Sequence, residues 1–246
     1  MSIPKIIHYC WFGGGAISPE NRKCMESWKK YCPDYKIIEW NDQNFDISTN
    51  RYAQQAYEAK KYAFVSDYVR LSVLYEYGGI YLDTDVELVR PLDELLELPG
   101  FMGFQTNNEV ATGLGFGARK GNSVVQALLR DYDALDFLKA DGSADLTPCP
   151  ERNTRVLQAM GVRKDGTRQS IAEMEIFPAE YFCPMDFYSR ELRVTPKTYS
   201  IHRYAESWKP KPSAVSRILQ RLLKKHYYTW YSPLRGRIEG RLRKRT

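Results

Sequence analysis

Short apolar runs and stretches with helical spacing alternate through the N-terminal part of the chain. Residues 5–12 are rich in β-branched and aromatic side chains and stop at three glycines, which predicts a buried strand followed by a loop. Ser18 and Pro19 supply an N-cap and a proline at the first helical position, which predicts a helix to about Tyr31. Residues 35–40 predict a second strand.

A longer helical stretch follows. Between residues 54 and 77 large apolar side chains recur at helical spacing, and Gly78 is the kind of residue that ends a helix. Residues 80–82 form a further apolar run and predict a third strand. Strands and helices that alternate in this way predict an α/β domain with a mixed, mostly parallel central sheet.

The pattern is looser beyond Pro91. Residues 101–119 contain short extended pieces between glycines and predict strands or a hairpin, and residues 123–135 predict an amphipathic helix. Residues 138–166 are rich in turn-forming and polar residues. Two late strands are predicted, at 173–177 and 198–204.

Composition favours one globular domain. The chain of 246 residues is 43% hydrophobic and 27% charged, which is typical of a domain with a sizeable core. Its five cysteines include no C-x-x-C pair, so we expect reduced thiols rather than a disulfide framework or a zinc site.

The net charge of +6 is distributed unevenly. Residues 209–246 hold twelve lysines and arginines against one acidic residue, whereas residues 1–208 are slightly acidic. We therefore predict two parts, a domain over 1–208 and a basic helical segment over 209–246. Any attraction to an anionic partner belongs to the second part.

The basic segment has an amphipathic pattern. Apolar side chains fall near one helical stripe, and basic side chains lie largely away from it; the stripe contains Val215, Ile218, Leu219, Leu222, Leu223 and Trp230. This pattern fits binding to an anionic membrane surface, although a helix packed on the body explains it equally well. Nothing in residues 1–208 supports nucleic-acid binding, so no nucleic-acid partner is expected.

The N-terminus lacks the charged start, the long apolar core and the small-residue cleavage site of a secretory signal. No apolar stretch approaches the roughly 18 residues that span a bilayer. We expect a cytoplasmic protein, or one that is peripheral on the inner face of the membrane.

The third predicted strand ends in Asp83-Thr84-Asp85. Ligands of open α/β sheets bind beyond the carboxyl ends of the strands, and two carboxylates placed there repel each other unless a positive charge lies between them. Mg²⁺ and Mn²⁺ take oxygen ligands from carboxylates and from substrate phosphates. The motif therefore fits a metal that holds a diphosphate, although an isolated D-x-D is more often a solvated turn.

Two charged residues interrupt the apolar helix before this strand. Asp67 and Arg70 are three residues apart and share a helix face, so an intrahelical ion pair explains them. The helix leads directly into the strand that ends in D-T-D. Its polar face can therefore lie near the end of that strand and contribute to the same site.

Two segments together carry a family resemblance. They read I-P-K-I-I-H-Y-C-W-F-G and Y-A-F-V-S-D-Y-V-R-L-S-V-L-Y-E-Y-G-G-I-Y-L-D-T-D-V. They resemble the sugar-binding region of glycosyltransferase family 32 with its DXD motif, and the arrangement is similar to that of the glucosyltransferase domains of large clostridial toxins. The resemblance covers roughly residues 3–95 and resumes at 202–208.

The resemblance implies a GT-A-like fold, a nucleoside diphosphate sugar as donor, in particular a UDP-sugar, and Mn²⁺ or Mg²⁺ as cofactor. Asp85 would bind the metal, and Asp83 would be shared between the metal and the ribose. Ser207 and Trp208 match the closing motif whose hydroxyl and indole N–H contact the diphosphate. His202 is left open between a metal or phosphate contact and a core histidine.

The resemblance also implies the residues that hold the donor. Trp11 would stack on the base, with a core tryptophan as the alternative, and Ser66 would lie near the ribose. Asp67 and Arg70 would hydrogen-bond hydroxyls of the donor sugar, for which a carboxylate and a guanidinium are well suited. These two residues and the two aspartates of the motif are the expected catalytic groups.

The implied reaction is a retaining transfer to a saccharide, with lipid-linked saccharides among the candidates, in the synthesis of a surface polysaccharide or glycoconjugate. The cation would stabilise the departing diphosphate, and a front-face mechanism needs no protein nucleophile. Residues 105–117, with Asn153 and Thr154, are candidates for the acceptor side, although a surface hairpin explains residues 105–117 almost equally well.

Parts of the sequence are also compatible with two other functions. Phosphatases with an aspartate nucleophile also place D-x-D after an apolar strand, but they carry Thr or Val two residues beyond the second aspartate, where this chain has Glu87. A non-catalytic sugar- or lipid-binding module is the other alternative, and the four charged residues of the expected catalytic set argue against it.

Overall fold

A computed structural model describes residues 2–187 and 189–205 of the chain. The first half of its central sheet comes from the predicted alternation of strands and helices. Strands β1 (Ile6–Cys10), β2 (Lys36–Trp40) and β3 (Gly79–Tyr81) pair in the order β2-β1-β3 and are parallel. Their carboxyl ends therefore meet at one edge of the sheet, where ligands of such sheets bind.

Helix α1 (Pro19–Tyr31) begins where the sequence predicts. The Ser18 hydroxyl accepts a hydrogen bond from the amide of Asn21 at 3.1 Å and so caps the helix. Trp28 is fully buried, and its indole N–H donates to the carbonyl of Val86 at 2.7 Å. This bond attaches the helix to the chain just after the D-T-D motif.

The prediction of one continuous helix over residues 54–77 is wrong. The structure has two helices, α2 (Arg51–Glu58) and α3 (Tyr62–Tyr77). They are separated at Lys60, whose φ of 57° lies in the left-handed region that no continuing α-helix can use. Gly78 ends α3 at a φ of 68°, as the sequence predicts.

Five further strands complete the sheet within the described part of the chain. They are β5 (Gly100–Phe104), β6 (Val110–Ala111), β7 (Phe116–Ala118), β8 (Gln169–Ile171) and β9 (Met174–Phe177). They continue the order as β3-β7-β5-β9-β8, with β6 beside β5. Strands β6, β7 and β8 are antiparallel to their neighbours, and the other five strands point in one direction. The predicted mixed, mostly parallel central sheet is confirmed.

A separate two-stranded ribbon brings the end of the described chain back to the motif. It consists of β4 (Val86–Leu88) and β10 (Ser200–His202), which are antiparallel with His202 opposite Val86. Residues that are more than a hundred positions apart are thereby placed side by side.

The remaining helices are α4 (Ser123–Asp133), α5 (Cys149–Ala159) and α6 (Ala179–Phe182). Helix α4 confirms the prediction for residues 123–135. Helix α5 was not predicted, because it lies in the segment 138–166 whose pattern favoured turns.

Two apolar clusters cover the two faces of the sheet. One contains side chains of α2, α3, α4 and α5, and the other contains side chains of α1, β4 and β10. All five cysteines are buried free thiols. Among the described residues, no helix is both long and apolar enough to cross a bilayer. The predicted basic helical segment 209–246 lies outside the described residues.

Candidate functional site

The D-T-D motif directly follows β3 at the edge where the parallel strands end. Asp83 donates its amide to the carbonyl of Gly113 at 3.1 Å, which fixes the first aspartate beside the loop between β6 and β7. A Cβ atom on Gly113 would lie 1.9 Å from Asp83 Oδ2, so only glycine leaves room for this carboxylate. The buried Thr84 accepts a hydrogen bond from Asn21 Nδ2 at 2.9 Å. Helix α1 thus supports the middle of the motif.

Arg70 joins α3 to the motif. Its Nη2 lies 3.0 Å from Asp83 Oδ1 and 3.3 Å from Asp67 Oδ1, so the intrahelical ion pair and the contact with the motif both exist. Its Nε donates to the carbonyl of Ser66 at 3.2 Å. Tyr81 places its ring 4.9 Å from the guanidinium carbon, and its hydroxyl donates to Asp83 Oδ1 at 3.0 Å.

Three residues on the other side of Arg70 were not among the predicted donor-binding residues. Arg70 Nη1 lies 3.4 Å from Thr112 Oγ1 and 3.8 Å from Cys149 Sγ. Asn153 Nδ2 donates a hydrogen bond to each of these two atoms, at 3.2 Å in both cases. Thr112 and Asn153 belong to the stretches singled out as acceptor candidates, whereas no signal marked Cys149. Thr154 points elsewhere, because its hydroxyl accepts from the amide of Val110 and supports β6.

Asp85 is held by the end of the described chain. Its Oδ1 lies 3.2 Å from His202 Nε2, and its Oδ2 accepts the amide of Ala205 at 2.8 Å. The amide of Arg203 donates to the main-chain carbonyl of Asp85 at 3.0 Å. The end of β10 and the residues just after it therefore fix the second aspartate through three contacts.

The three side chains expected near a metal converge. Asp83, Asp85 and His202 each offer one ligand atom, and these atoms lie within 4.8 Å of one another. Two carboxylates and an imidazole are donors that suit a divalent transition ion such as Mn²⁺. His202 Nδ1 is buried and has no hydrogen-bond partner among the described residues, whereas Nε2 faces the Asp85 carboxylate. The residues present fit a divalent cation.

Burial and charge shift the acidic groups in different directions. Burial raises the pKa of Asp67 to about 6, although Arg70 acts against this change. Burial also raises the pKa of Asp83 despite Arg70. Burial would raise the pKa of Asp85 as well, but His202 and the Ala205 amide outweigh it and lower the pKa to about 2. Within one cluster, the pKa values of Asp67 and Asp83 are therefore raised while that of Asp85 is lowered. Opposed pKa shifts of this kind are common where carboxylates are gathered for a function.

The other residues predicted to bind the donor make fewer contacts with the D-T-D motif or lie outside the described part of the chain. Trp11 is half-buried just beyond β1, and its indole N–H donates to the carbonyl of Gly15, so one ring edge is already bonded. The Ser66 hydroxyl donates to the carbonyl of Tyr62 at 3.0 Å within α3. Ser207 and Trp208 lie outside the described residues.

Comparison with known proteins bears on this cluster. Residues 18–101, which contain the D-T-D motif, Asp67 and Arg70, match the family described as a glycosyltransferase sugar-binding region containing a DXD motif. This part of the chain is therefore similar to the sugar-binding region of that family. The resemblance noted from the sequence is thereby confirmed.

Among the proteins similar to this chain are named glycosyltransferases. An inositol phosphoceramide mannosyltransferase of Schizosaccharomyces pombe is 30% identical over 151 residues, which cover 55% of this chain and 39% of that protein. An alpha-1,4-N-acetylglucosaminyltransferase of Homo sapiens is 28% identical, with 60% of this chain and 38% of that protein covered. A solved structure, PaToxG glycosyltransferase, is 22% identical with a TM-score of 0.48, covering 64% of this chain and 70% of that one. The chain therefore spans about two fifths of the length of these two curated relatives.

Proposed function

We propose that this protein is a metal-dependent, retaining glycosyltransferase that moves a sugar from a nucleoside diphosphate donor to a saccharide acceptor. The observation that carries the proposal is the convergence of Asp67, Arg70, Asp83, Asp85 and His202 at the carboxyl edge of the sheet. The family match over residues 18–101 supports the same class of chemistry.

The cation would be held by Asp83, Asp85 and His202 and would be Mn²⁺ or Mg²⁺. When bound, it would supply Lewis-acid stabilisation of the negative charge on the leaving diphosphate. The protein's own part is to hold the ligands in place, through Arg70 on Asp83 and through the Ala205 amide on Asp85. Such fixed ligands need little reorganisation when charge develops during the reaction.

Asp67 is the group best placed to accept a hydrogen bond from a hydroxyl of the donor sugar. It is nearly buried, it lies beside Arg70, and its carboxylate has acceptor sites beyond the one that contacts the guanidinium. All three guanidinium nitrogens of Arg70 already have protein partners. We therefore assign Arg70 mainly to orienting the carboxylates, and a sugar contact by Arg70 requires exchange of one of these partners.

The donor is proposed to be a UDP-sugar, with its base on Trp11 and its diphosphate near Ser207 and Trp208. Relatives are named for mannosyl and N-acetylglucosaminyl transfer, so both sugars belong in the test. A panel of UDP- and GDP-sugars carrying glucose, galactose, mannose or N-acetylglucosamine, incubated with the protein and Mn²⁺, should show release of nucleoside diphosphate from one donor. Release from no donor, with no donor bound, would contradict the proposal. Release of inorganic phosphate from simple phosphate esters would favour the phosphatase alternative instead.

The acceptor is proposed to be a saccharide carried on a lipid, in the synthesis of a glycoconjugate or surface polysaccharide. Three relatives named for inositol phosphoceramide mannosyl transfer support a lipid-linked acceptor. The basic residues 209–246 would then place the protein at the cytoplasmic face of an anionic membrane. Co-sedimentation with anionic liposomes should fall sharply when Arg221, Lys224 and Lys225 are changed to Glu in the full chain. Equal sedimentation of both proteins would contradict the membrane contact.

A further inference from the structure

Tyr204 has a backbone conformation that residues with a side chain rarely adopt. Its φ is 52°, in the left-handed region that favours glycine and, to a lesser degree, asparagine. Such residues persist only where the surrounding structure holds them, and they are concentrated at functional sites. Tyr204 follows directly after the His202-Arg203 pair that contacts the D-T-D motif.

The side chain of Tyr204 is packed beside this turn. The residue is buried, with its ring centroid 4.2 Å from that of His202 and 5.0 Å from that of Phe187. Its hydroxyl lies 2.8 Å from the thiol of Cys183. The ring is therefore anchored on several sides while the backbone turns.

The turn directs two amides at the same residue. The amide before Tyr204, that of Arg203, donates to the main-chain carbonyl of Asp85 at 3.0 Å. The amide after it, that of Ala205, donates to Asp85 Oδ2 at 2.8 Å. The other carboxylate oxygen, Oδ1, is left 3.2 Å from His202 Nε2. The amide that follows the left-handed residue thus holds the carboxylate of the second aspartate, and the amide of Arg203 holds its backbone.

We propose that Tyr204 is a positioning residue of the cation site, acting through its left-handed backbone, which holds the Asp85 carboxylate by way of the Ala205 amide. This inference rests on the cation site of the proposed function. A carboxylate that is already oriented loses less freedom when it binds a cation, so it binds more tightly.

Two substitutions separate the backbone from the ring. Tyr204→Asn and Tyr204→Val both remove the aromatic ring, but asparagine tolerates the left-handed region and β-branched valine does not. Tyr204→Phe keeps the ring and removes only the hydroxyl. Lys60, whose φ is 57°, is an exposed residue between α2 and α3 and supplies the matched control Lys60→Val.

The measurement is the affinity for Mn²⁺ alone, from the electron paramagnetic resonance signal of the free ion during titration of the full chain. We expect Tyr204→Phe and Lys60→Val to bind within about twofold of the unsubstituted protein, Tyr204→Asn within about threefold, and Tyr204→Val at least about tenfold more weakly. Circular dichroism confirms that each variant is folded, and Tyr204→Ala replaces Tyr204→Val if the latter does not fold.

Three results would overturn the inference. Equal weakening in Tyr204→Asn and Tyr204→Val would show that the ring matters and the backbone conformation does not. Unchanged affinity in all Tyr204 variants would show that the turn does not position Asp85 for a cation. If the unsubstituted protein binds no Mn²⁺, the cation site itself is wrong, and the role of Tyr204 falls with it.

Discussion

Arg70 Nη2 lies 3.0 Å from Asp83 Oδ1, and this contact ties the last helix before the motif to the motif itself. The same nitrogen lies 3.3 Å from Asp67 Oδ1, so one buried guanidinium contacts the buried carboxylate of Asp67 and the half-buried carboxylate of Asp83. A single guanidinium that contacts two acids explains how Asp67 and Asp83 can lie close together, while His202 faces the third aspartate, Asp85. The orientation of the Arg70 guanidinium therefore matters most for the arrangement of these carboxylates.

Replacement of Arg70 by lysine tests that geometry. Lysine keeps the charge but offers one ammonium in place of a planar group with five donors, so it cannot hold Asp67, Asp83 and the Ser66 carbonyl together. We expect Arg70→Lys to lower kcat/KM for the donor by at least about 100-fold. The rate of nucleoside diphosphate release measures this change.

The matched control for this substitution is Arg155→Lys, at an exposed arginine that pairs with Asp131. We expect its kcat/KM to stay within about twofold, since exposed pairs contribute little. Comparable losses in Arg70→Lys and Arg155→Lys, or no loss in either, would contradict the role given to Arg70.

Gly113 offers a test of the space around the first aspartate. A Cβ at this position would lie 1.9 Å from Asp83 Oδ2, so Gly113→Ala must displace the carboxylate. We expect the affinity for Mn²⁺ to fall by at least about tenfold, with a smaller effect on the melting temperature. Gly15→Ala is the control, because a Cβ there meets no atom within 4 Å. Equal Mn²⁺ affinity in the two variants would show that Asp83 is not confined in this way.

The hydrogen bond between Asn21 and Thr84 predicts an energetic coupling between α1 and the motif. Asn21 Nδ2 donates to Thr84 Oγ1 at 2.9 Å, and both residues are buried. A double-mutant cycle with Asn21→Ala and Thr84→Val should give a coupling free energy of about 1 kcal/mol in urea unfolding. Additive effects of the two substitutions would show that the bond does not stabilise the motif.

Local signals in the sequence were enough to predict those parts of the site whose residues are close to one another along the chain. The N-cap at Ser18, the glycine at the end of α3 and the D-T-D motif are each set by neighbouring residues, and each is where the sequence predicts. Asp67 and Arg70 could be linked to the motif because only one helix end and one short strand separate them. The family resemblance rests on the same residues.

Contacts between distant segments could not be derived in this way. Cys149 reaches Arg70 across 79 positions, through a helix whose sequence is rich in polar and turn-forming residues. The break between α2 and α3 depends on the left-handed conformation of Lys60, which no residue type in that segment requires. Tertiary packing decides both features, and periodicity along the chain does not report it.

His8 predicts how stability depends on pH. The imidazole is buried, with Nε2 bonded to the carbonyl of Gly78 and Nδ1 accepting from the indole of Trp40. Burial lowers its pKa from 6.5 to about 4, so the unfolded chain takes up the proton first as the pH falls. The contribution of His8 is fully present above pH 6.5 and is lost progressively towards pH 4.

We expect the unfolding free energy of the unsubstituted protein to fall between pH 7 and pH 4.5 by about 2.5 kcal/mol more than that of His8→Gln, because glutamine does not titrate. Urea unfolding of both proteins at the two pH values measures the difference, and acidic groups elsewhere cancel in the comparison. Parallel losses in the two proteins would show that His8 is not held neutral in the folded state.

The most direct test of the central claim is the dependence of donor hydrolysis on Mn²⁺ in the unsubstituted protein and in Asp85→Asn. Asp34→Asn, at an exposed carboxylate paired with Lys5, serves as the control. We expect release of nucleoside diphosphate to stop on chelation, to return with Mn²⁺, and to fall by at least about 100-fold in Asp85→Asn alone. Release that is insensitive to chelation, or equal in Asp85→Asn and Asp34→Asn, would contradict a metal-dependent glycosyltransferase site at Asp83-Thr84-Asp85.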